Sequence, residues 1–92
     1  MNIKMKKYSI ESVLWNDHTH VHRGQIPENP DTFIIPTLSV GIILKETKKT
    51  ITLISEIERY DDRDDSSFTI IFKNAILGRR KYGSIKLDNI KS

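Results

Sequence analysis

The stretch Thr37–Glu58, "TLSVGIILKETKKTITLISEIE", decides the fold class. Val40, Ile42 and Leu44 alternate with Ser39, Gly41 and Ile43, the period-two pattern of a strand whose side chains point to opposite faces. "KETKK" then turns the chain, and Ile51, Leu53 and Ser55 alternate with Thr50, Thr52 and Ile54. Two alternating runs around a short polar turn predict a β-hairpin. Gly41, inside the first run, marks a bulge, a bend of the sheet, or a close approach by another backbone or a ligand.

Shorter β-rich runs flank the hairpin. "YSIESVLW" (Tyr8–Trp15) has a mixed alternation that fits a strand or a short helix, and the β-branched and aromatic residues at its two ends favour the strand. "FTIIF" (Phe68–Phe72) predicts another, "KNAILG" one helical turn ended by Gly78, and "RRKYGSIKL" a last short strand. Between strands one and two, "NDHTHVHRGQIPENPDTFIIP" carries turn chemistry at Asn16-Asp17, Arg23-Gly24 and Glu28–Asp31 and predicts a long loop. "ERYDDRDDSS" lacks the apolar residues to order itself and predicts a flexible, solvated acidic loop over residues 58–66. The expected architecture is mainly β: a small five-stranded SH3-like or Sm-like barrel with a long first loop and one helical turn before the last strand. Closing the sheet would remove exposed edges. The chain reads as one domain over residues 1–92, with its core at about 8–87.

Composition limits the chemistry. At 92 residues a single modest core is expected, and oligomerisation or a ligand is a natural source of further stability. The absence of cysteine excludes disulfides and thiolate metal sites. No run of signal-peptide type or of membrane-spanning length occurs, so a soluble, cytoplasmic protein is expected. The net charge of +3 is a small excess of 15 basic over 12 acidic residues, which by itself says little about nucleic acid. Its distribution is uneven: Lys4, Lys6 and Lys7 open the chain, Arg79, Arg80, Lys81, Lys86 and Lys91 crowd its end, and the acids gather between. If the two ends meet, they form a basic patch opposite the acidic loop, suited to an anion.

Three histidines, His18, His20 and His22, recur at every second position. In an extended segment they share a face at roughly 6–7 Å spacing, and with Asp17 they offer a nitrogen and oxygen set tolerable to zinc. The chain has no further histidine to complete such a site, and its remaining acids lie mostly in one run, so no metal is expected. A calcium loop in "DDRDD" lacks the central glycine, the distal glutamate and the flanking helices. No glycine-rich phosphate loop or nucleophile elbow is present. No catalytic residues and no cofactor are therefore expected. Trp15, Phe33, Tyr60 and Tyr82 stand outside the strongest strand pattern. Trp15 ends a strand where a loop leaves, which suits either the core or a surface on which a nucleobase stacks.

In order and spacing, "VLWNDHT", "PTLSVGIILKETKKTITLISE" and "FTIIFKNAILGRRKYG" resemble a widespread family of small phage proteins. The shared positions are Trp15, Asp17, Thr37, Ser39, Gly41, Ser55, Phe72, Lys73 and Ile76, and the likeness covers about residues 8–80. After Asp17 the family commonly has Gly-Trp, where this chain reads "HTHVHRGQIP". The pattern looks like that of phage anti-CBASS sponge proteins, which bind host cyclic dinucleotide signals without cleaving them. The resemblance implies a non-enzymatic homo-oligomer, dimer or tetramer, with ligand sites between subunits, acting in the host bacterial cytoplasm on 3′3′-cGAMP or a related signal. The ligand-binding set then comprises Trp15, Asp17, His18, Ser39, Gly41, Lys73, Arg79, Arg80 and Tyr82. In it Trp15 or Tyr82 would stack on a base, Lys73, Arg79 and Arg80 would meet phosphate, and Ser39 and Gly41 would permit close approach. A nucleic-acid-binding small barrel using the basic termini is the alternative. A metal-dependent nucleotide hydrolase built on the histidines is a third class.

Overall fold

The computed structural model describes residues 5–17, 28–29 and 34–90. Five strands form one antiparallel sheet: β1 (Met5–Asp17), β2 (Ile35–Glu46), β3 (Thr50–Arg59), β4 (Asp64–Phe72) and β5 (Ile76–Asp88). A 3₁₀ turn, Lys73–Ala75, joins β4 to β5. The order across the sheet is β4-β3-β2-β1-β5. Among the described residues the chain is thus mainly β and five-stranded, as the alternation predicts, and their helical content is that 3₁₀ turn.

This connectivity forces the sheet to curl. β4 and β5 lie at opposite edges, which in a flat five-stranded sheet would stand about 19 Å apart, four spacings of ~4.8 Å. Three 3₁₀ residues span only ~6 Å. The edges are therefore drawn together where the turn sits, and the Lys73 amide donates to the Lys49 carbonyl of the β2–β3 turn at 2.8 Å. Among the described residues β4 and β5 do not pair, so the sheet is open.

The bend is concentrated between β2 and β3. Their pairing covers only Ile42–Glu46 against Ile51–Ile54, with a bulge between Ile43 and Lys45. N-terminal to it, β2 pairs with β1 alone, from Asp17↔Ile35 to Glu11↔Gly41. Beyond Ile54, β3 pairs with β4 alone, as far as Arg59↔Asp64. Gly41 sits at the fork. A Cβ there would press on the Ile54 carbonyl, with its carbon and Leu53 Cδ2 both at 2.8 Å. Of the meanings open to this glycine, the close approach is made by the backbone of the chain's own β3.

Both faces of the sheet carry apolar clusters. Val13, Trp15, Leu53 and Ile71 pack on one side with Ile43 and Ile76. Tyr8, Ile54 and Ile90 pack on the other with Ile42, Leu44, Ile57 and Leu87. The Ile90 amide donates to Tyr8 Oη at 3.1 Å and ties the end of the chain across the second cluster.

Three local expectations need correction. The acidic segment is no flexible loop: β3 runs to Arg59 and β4 starts at Asp64, leaving a tight turn. The Tyr60 amide donates to the Arg63 carbonyl at 2.9 Å, the Arg63 guanidinium lies 4.6 Å from the Tyr60 ring centre, and Arg59 pairs with Asp64 at 3.7 Å. Cross-strand pairing and charge neutralisation supply the order that apolar residues do not. The helical turn expected through Gly78 stops at Ala75, because Ile76–Gly78 already pair with β1. Finally, the chain ends do meet, with Lys7 opposite Lys86. The acidic turn lies beside them rather than opposite, since Arg59 Nη2 donates to the Asp88 carbonyl at 2.8 Å.

Candidate functional site

Strand alternation divides the sequence-predicted residues between the two faces of the sheet. Along β1, Glu11, Val13 and Trp15 share one side, and Ser12 and Leu14 the other. On the first side Trp15 is 6% exposed, within the core cluster, and its Nε1–H donates to Ser39 Oγ at 3.0 Å. Trp15 is thus a core residue, and Ser39 satisfies the one polar atom that its burial would otherwise strand. Gly41 is occupied by β3, as described. Asp17 closes β1 opposite Ile35. His18, with His20, His22 and Phe33, lies outside the described residues.

Arg79 also belongs to this side, opposite Val13. Its guanidinium bonds twice to Glu11, through Nε to Oε1 and Nη2 to Oε2, and twice to Glu46, at 2.6 and 3.2 Å. Lys73 reaches Glu46 at 2.8 Å. Two cations thus face two carboxylates drawn from β1, β2, the 3₁₀ turn and β5. Hydrogen bonding to Arg79 lowers the pKa of buried Glu11 against the opposing effect of its burial. Arg79 and then Lys73 hold Glu46 down to about 2, and the same carboxylates, Glu46 first, push Arg79 up. The network pins strands together, and its cations already carry carboxylates where a ligand phosphate was expected.

The opposite side of β2-β1-β5 is different. Val40, Ser12 and Arg80 form one row across the three strands, and Leu38, Leu14 and Gly78 the next. Leu38 and Val40 are exposed, at 65% and 53%, beside exposed Leu14. Arg80 stacks on Tyr82, its guanidinium carbon 5.3 Å from the ring centre, and Tyr82 Oη accepts a bond from Ser12 Oγ at 3.1 Å. The ring is anchored by its hydroxyl while its body stays exposed, at 59%. A Cβ on Gly78 or Gly83 would meet nothing within 4 Å, and neither has a positive φ. Both glycines adjoin the β-bulges where β5 shifts register against β1, between Ile10/Glu11 and Leu14/Trp15, a common place for glycine in a strand, and neither is held there by internal packing or by a positive φ. The outer surface of β5 is left bare on both sides of an aromatic ring and a cation.

Of the sequence-predicted residues, Arg80 and Tyr82 therefore meet on an open surface, Trp15 and Ser39 meet in the core, and Lys73 and Arg79 meet through Glu46. Leu14, Leu38, Val40 and Gly78 were missed as parts of a surface. Alternation along β2 hid them, because Leu38 and Val40 share a face with Ile42 and Leu44 and so read as core. Among the described residues no three His, Cys, Asp or Glu side chains gather as metal ligands, and no helix is long and apolar enough to cross a membrane. No protein-family model, curated protein or solved structure matches the chain. Fold and site together define a small, open, five-stranded β-sheet protein with an exposed aromatic and cationic surface on β5.

Proposed function

We propose that the protein is a non-enzymatic binding protein that sequesters a cyclic dinucleotide, as the likeness to phage anti-CBASS sponges implies, and that it does so on the open face of β2-β1-β5. The carrying observation is the exposed Arg80–Tyr82 stack on a strand left bare by Gly78 and Gly83. A cyclic dinucleotide presents flat purines and two phosphates. Tyr82 offers a stacking face worth about 1–3 kcal/mol, Arg80 an always-charged donor for phosphate, and Leu14, Leu38 and Val40 an apolar border. A two-fold ligand such as 3′3′-cGAMP suits two copies of this surface, one base on each, so assembly of the chain belongs to this reading. The compartment follows from the role: the host bacterial cytoplasm, where such signals are made.

The test is a thermal-shift and calorimetric panel of cyclic dinucleotides beside short single-stranded DNA and RNA, with and without EDTA. A sponge gives a saturable shift with a cyclic dinucleotide and returns the compound intact after heat denaturation. Recovery of a cleaved product overturns the reading in favour of an enzyme. Tyr82→Ala should weaken binding about 5- to 150-fold, the stacking energy converted to affinity, without unfolding the exposed site. A second reading, nucleic-acid binding, draws on Arg80, Lys81 and Lys86 along β5 with Lys7 opposite Lys86. It predicts oligonucleotide binding that falls steeply with salt as counterions are released, whereas a two-phosphate ligand should lose much less.

A further inference from the structure

The two edges of the sheet are built differently. β5, at one edge, carries Arg79, Arg80, Lys81 and Lys86, and charged side chains are a common guard against edge-to-edge pairing. β4, at the other, runs "SSFTIIF" from Ser66 to Phe72 without a charge, proline or glycine. Among the described residues only β3 pairs with it. On one side of β4, Ile71 is fully buried; on the other, Phe68, Ile70 and Phe72 are 60%, 52% and 54% exposed. An apolar row beside a line of unpaired backbone groups is a template for another strand. The described chain is also long for its size, with a radius of gyration of 16.3 Å where a compact domain of this length has about 12 Å.

We infer that β4 is a self-association edge, pairing antiparallel with β4 of a second copy about a two-fold axis at Ile70. Charge placement selects this occupant and this direction. Around Ile70, Phe68 falls opposite Phe72 of the other copy and Ser67 opposite its Lys73. Asp65 of each copy, whose side chain is exposed, then lies towards the cationic end of the other strand, and the two acidic ends are kept apart. A parallel joint would set acid beside acid and Lys73 beside Lys73. The three exposed side chains offer roughly 300 Å² per copy, at the ~150–250 Å² a large aromatic can bury. A standard interface needs about 800 Å² per partner. The open groove beside β4, lined by Leu44, Thr52, Ile54, Phe68 and Ile90 among others, continues the same surface. The inference rests on the preceding reading only in that assembly is part of both, and it supplies the interface that the ligand surface on β5 does not.

The chain contains no cysteine, so a single introduced thiol reports the joint directly. In the two-fold pair Ile70 faces itself, within disulfide reach. Ile70→Cys should therefore form a covalent dimer on mild oxidation roughly tenfold or more faster than Leu38→Cys, an equally apolar and more exposed control, since a pre-formed pair holds thiols at effective concentrations of about millimolar. Sedimentation should show the parent as a dimer or higher species, and Phe68→Lys/Ile70→Lys as a monomer with an unchanged β-type circular dichroism spectrum. If that variant does not fold, the cysteine pair still decides. A monomeric parent, or cross-linking at Ile70→Cys no faster than at Leu38→Cys, overturns the inference. Titrating the charged variant with the cyclic dinucleotide separates the two proposals. Binding retained at Tyr82 without an Ile70 joint leaves the ligand reading standing alone, and an Ile70 joint in a protein that binds no nucleotide does the reverse.

Discussion

Replacing Arg79 by methionine tests whether this arginine is a strut or a ligand residue. The substitution keeps most of the apolar stem and removes the guanidinium, and with it four hydrogen bonds to Glu11 and Glu46. Glu46 is 38% exposed and keeps Lys73, so its share should be that of a surface pair, about 0.5 kcal/mol. Glu11 decides the magnitude. Its side chain is 8% exposed, and without Arg79 it keeps only the bond from Ser9 Oγ, at 2.7 Å. Removing one partner of a buried pair costs about 3–5 kcal/mol. Because the Arg79 side is 30% exposed and screened, about 2–3 kcal/mol is expected for the whole substitution. For a domain of this size that lowers Tm by roughly 10–20 °C. Chemical denaturation followed by far-ultraviolet circular dichroism measures the loss. Adding Glu11→Gln in the Arg79→Met background should return about 1–2 kcal/mol, because a neutral amide is far cheaper to bury unpaired than a carboxylate. A loss below about 0.5 kcal/mol, with cyclic dinucleotide binding abolished, would refute the structural role and make Arg79 a phosphate contact.

Four further outcomes follow from the same geometry. Gly41→Ala should destabilise by about 1–3 kcal/mol in urea unfolding, since its methyl meets the Ile54 backbone, which cannot rotate away as a side chain would; an unchanged midpoint would show that the fork opens freely. Glu46 should contribute modestly to the acid limb of stability: its pKa is held down to about 2 from 4.5, so the unfolded chain binds more protons between those values and stability falls as pH drops through that window, by an amount that its 38% exposure reduces. Glu46→Gln should flatten that limb in melts taken from about pH 5 to pH 2, and an unaltered profile would remove Glu46 from the network. Ser39→Ala should cost about 1–3 kcal/mol by leaving Trp15 Nε1 without its acceptor. As the chain's single tryptophan, buried Trp15 should emit blue-shifted fluorescence that moves red only on unfolding, and a red-shifted native spectrum would contradict its burial.

Secondary structure was legible because it is local. The alternation in Thr37–Glu58 and the run "FTIIF" each state a period of two, and a strand is the backbone geometry that satisfies it. For Gly41 the sequence offered a bulge, a bend or a close approach, and only the pairing of β2 with β3 chose among them. The acidic turn was misread because its order comes from pairs such as Arg59 with Asp64 and Arg63 over Tyr60, which exist only once β3 and β4 are in register. The candidate site was half legible. Arg80 and Tyr82 stand two apart on one strand, which alternation puts on one face, while Tyr82 also sits at the bulge between Lys81 and Gly83, which only the pairing of β5 with β1 shows.

By itself, then, the sequence determined that there are five strands and that β2 and β3 form an antiparallel hairpin, set by side-chain alternation and backbone sterics over a few residues. Only the tertiary structure decided which side of each strand is inside. β2 carries Leu38, Val40, Ile42 and Leu44 on one face and Thr37, Ser39, Gly41 and Ile43 on the other, so alternation alone reads Leu38 and Val40 as core and Trp15 as a surface ring. The curl imposed by joining opposite edges through three residues settled this, turning Trp15, Val13, Leu53 and Ile71 inward together. The same curl brought Glu11, Glu46, Lys73 and Arg79 to one point from four separate segments of the chain. Register is a long-range property, and it made Arg79 a strut while leaving Arg80, the next residue, on the open face.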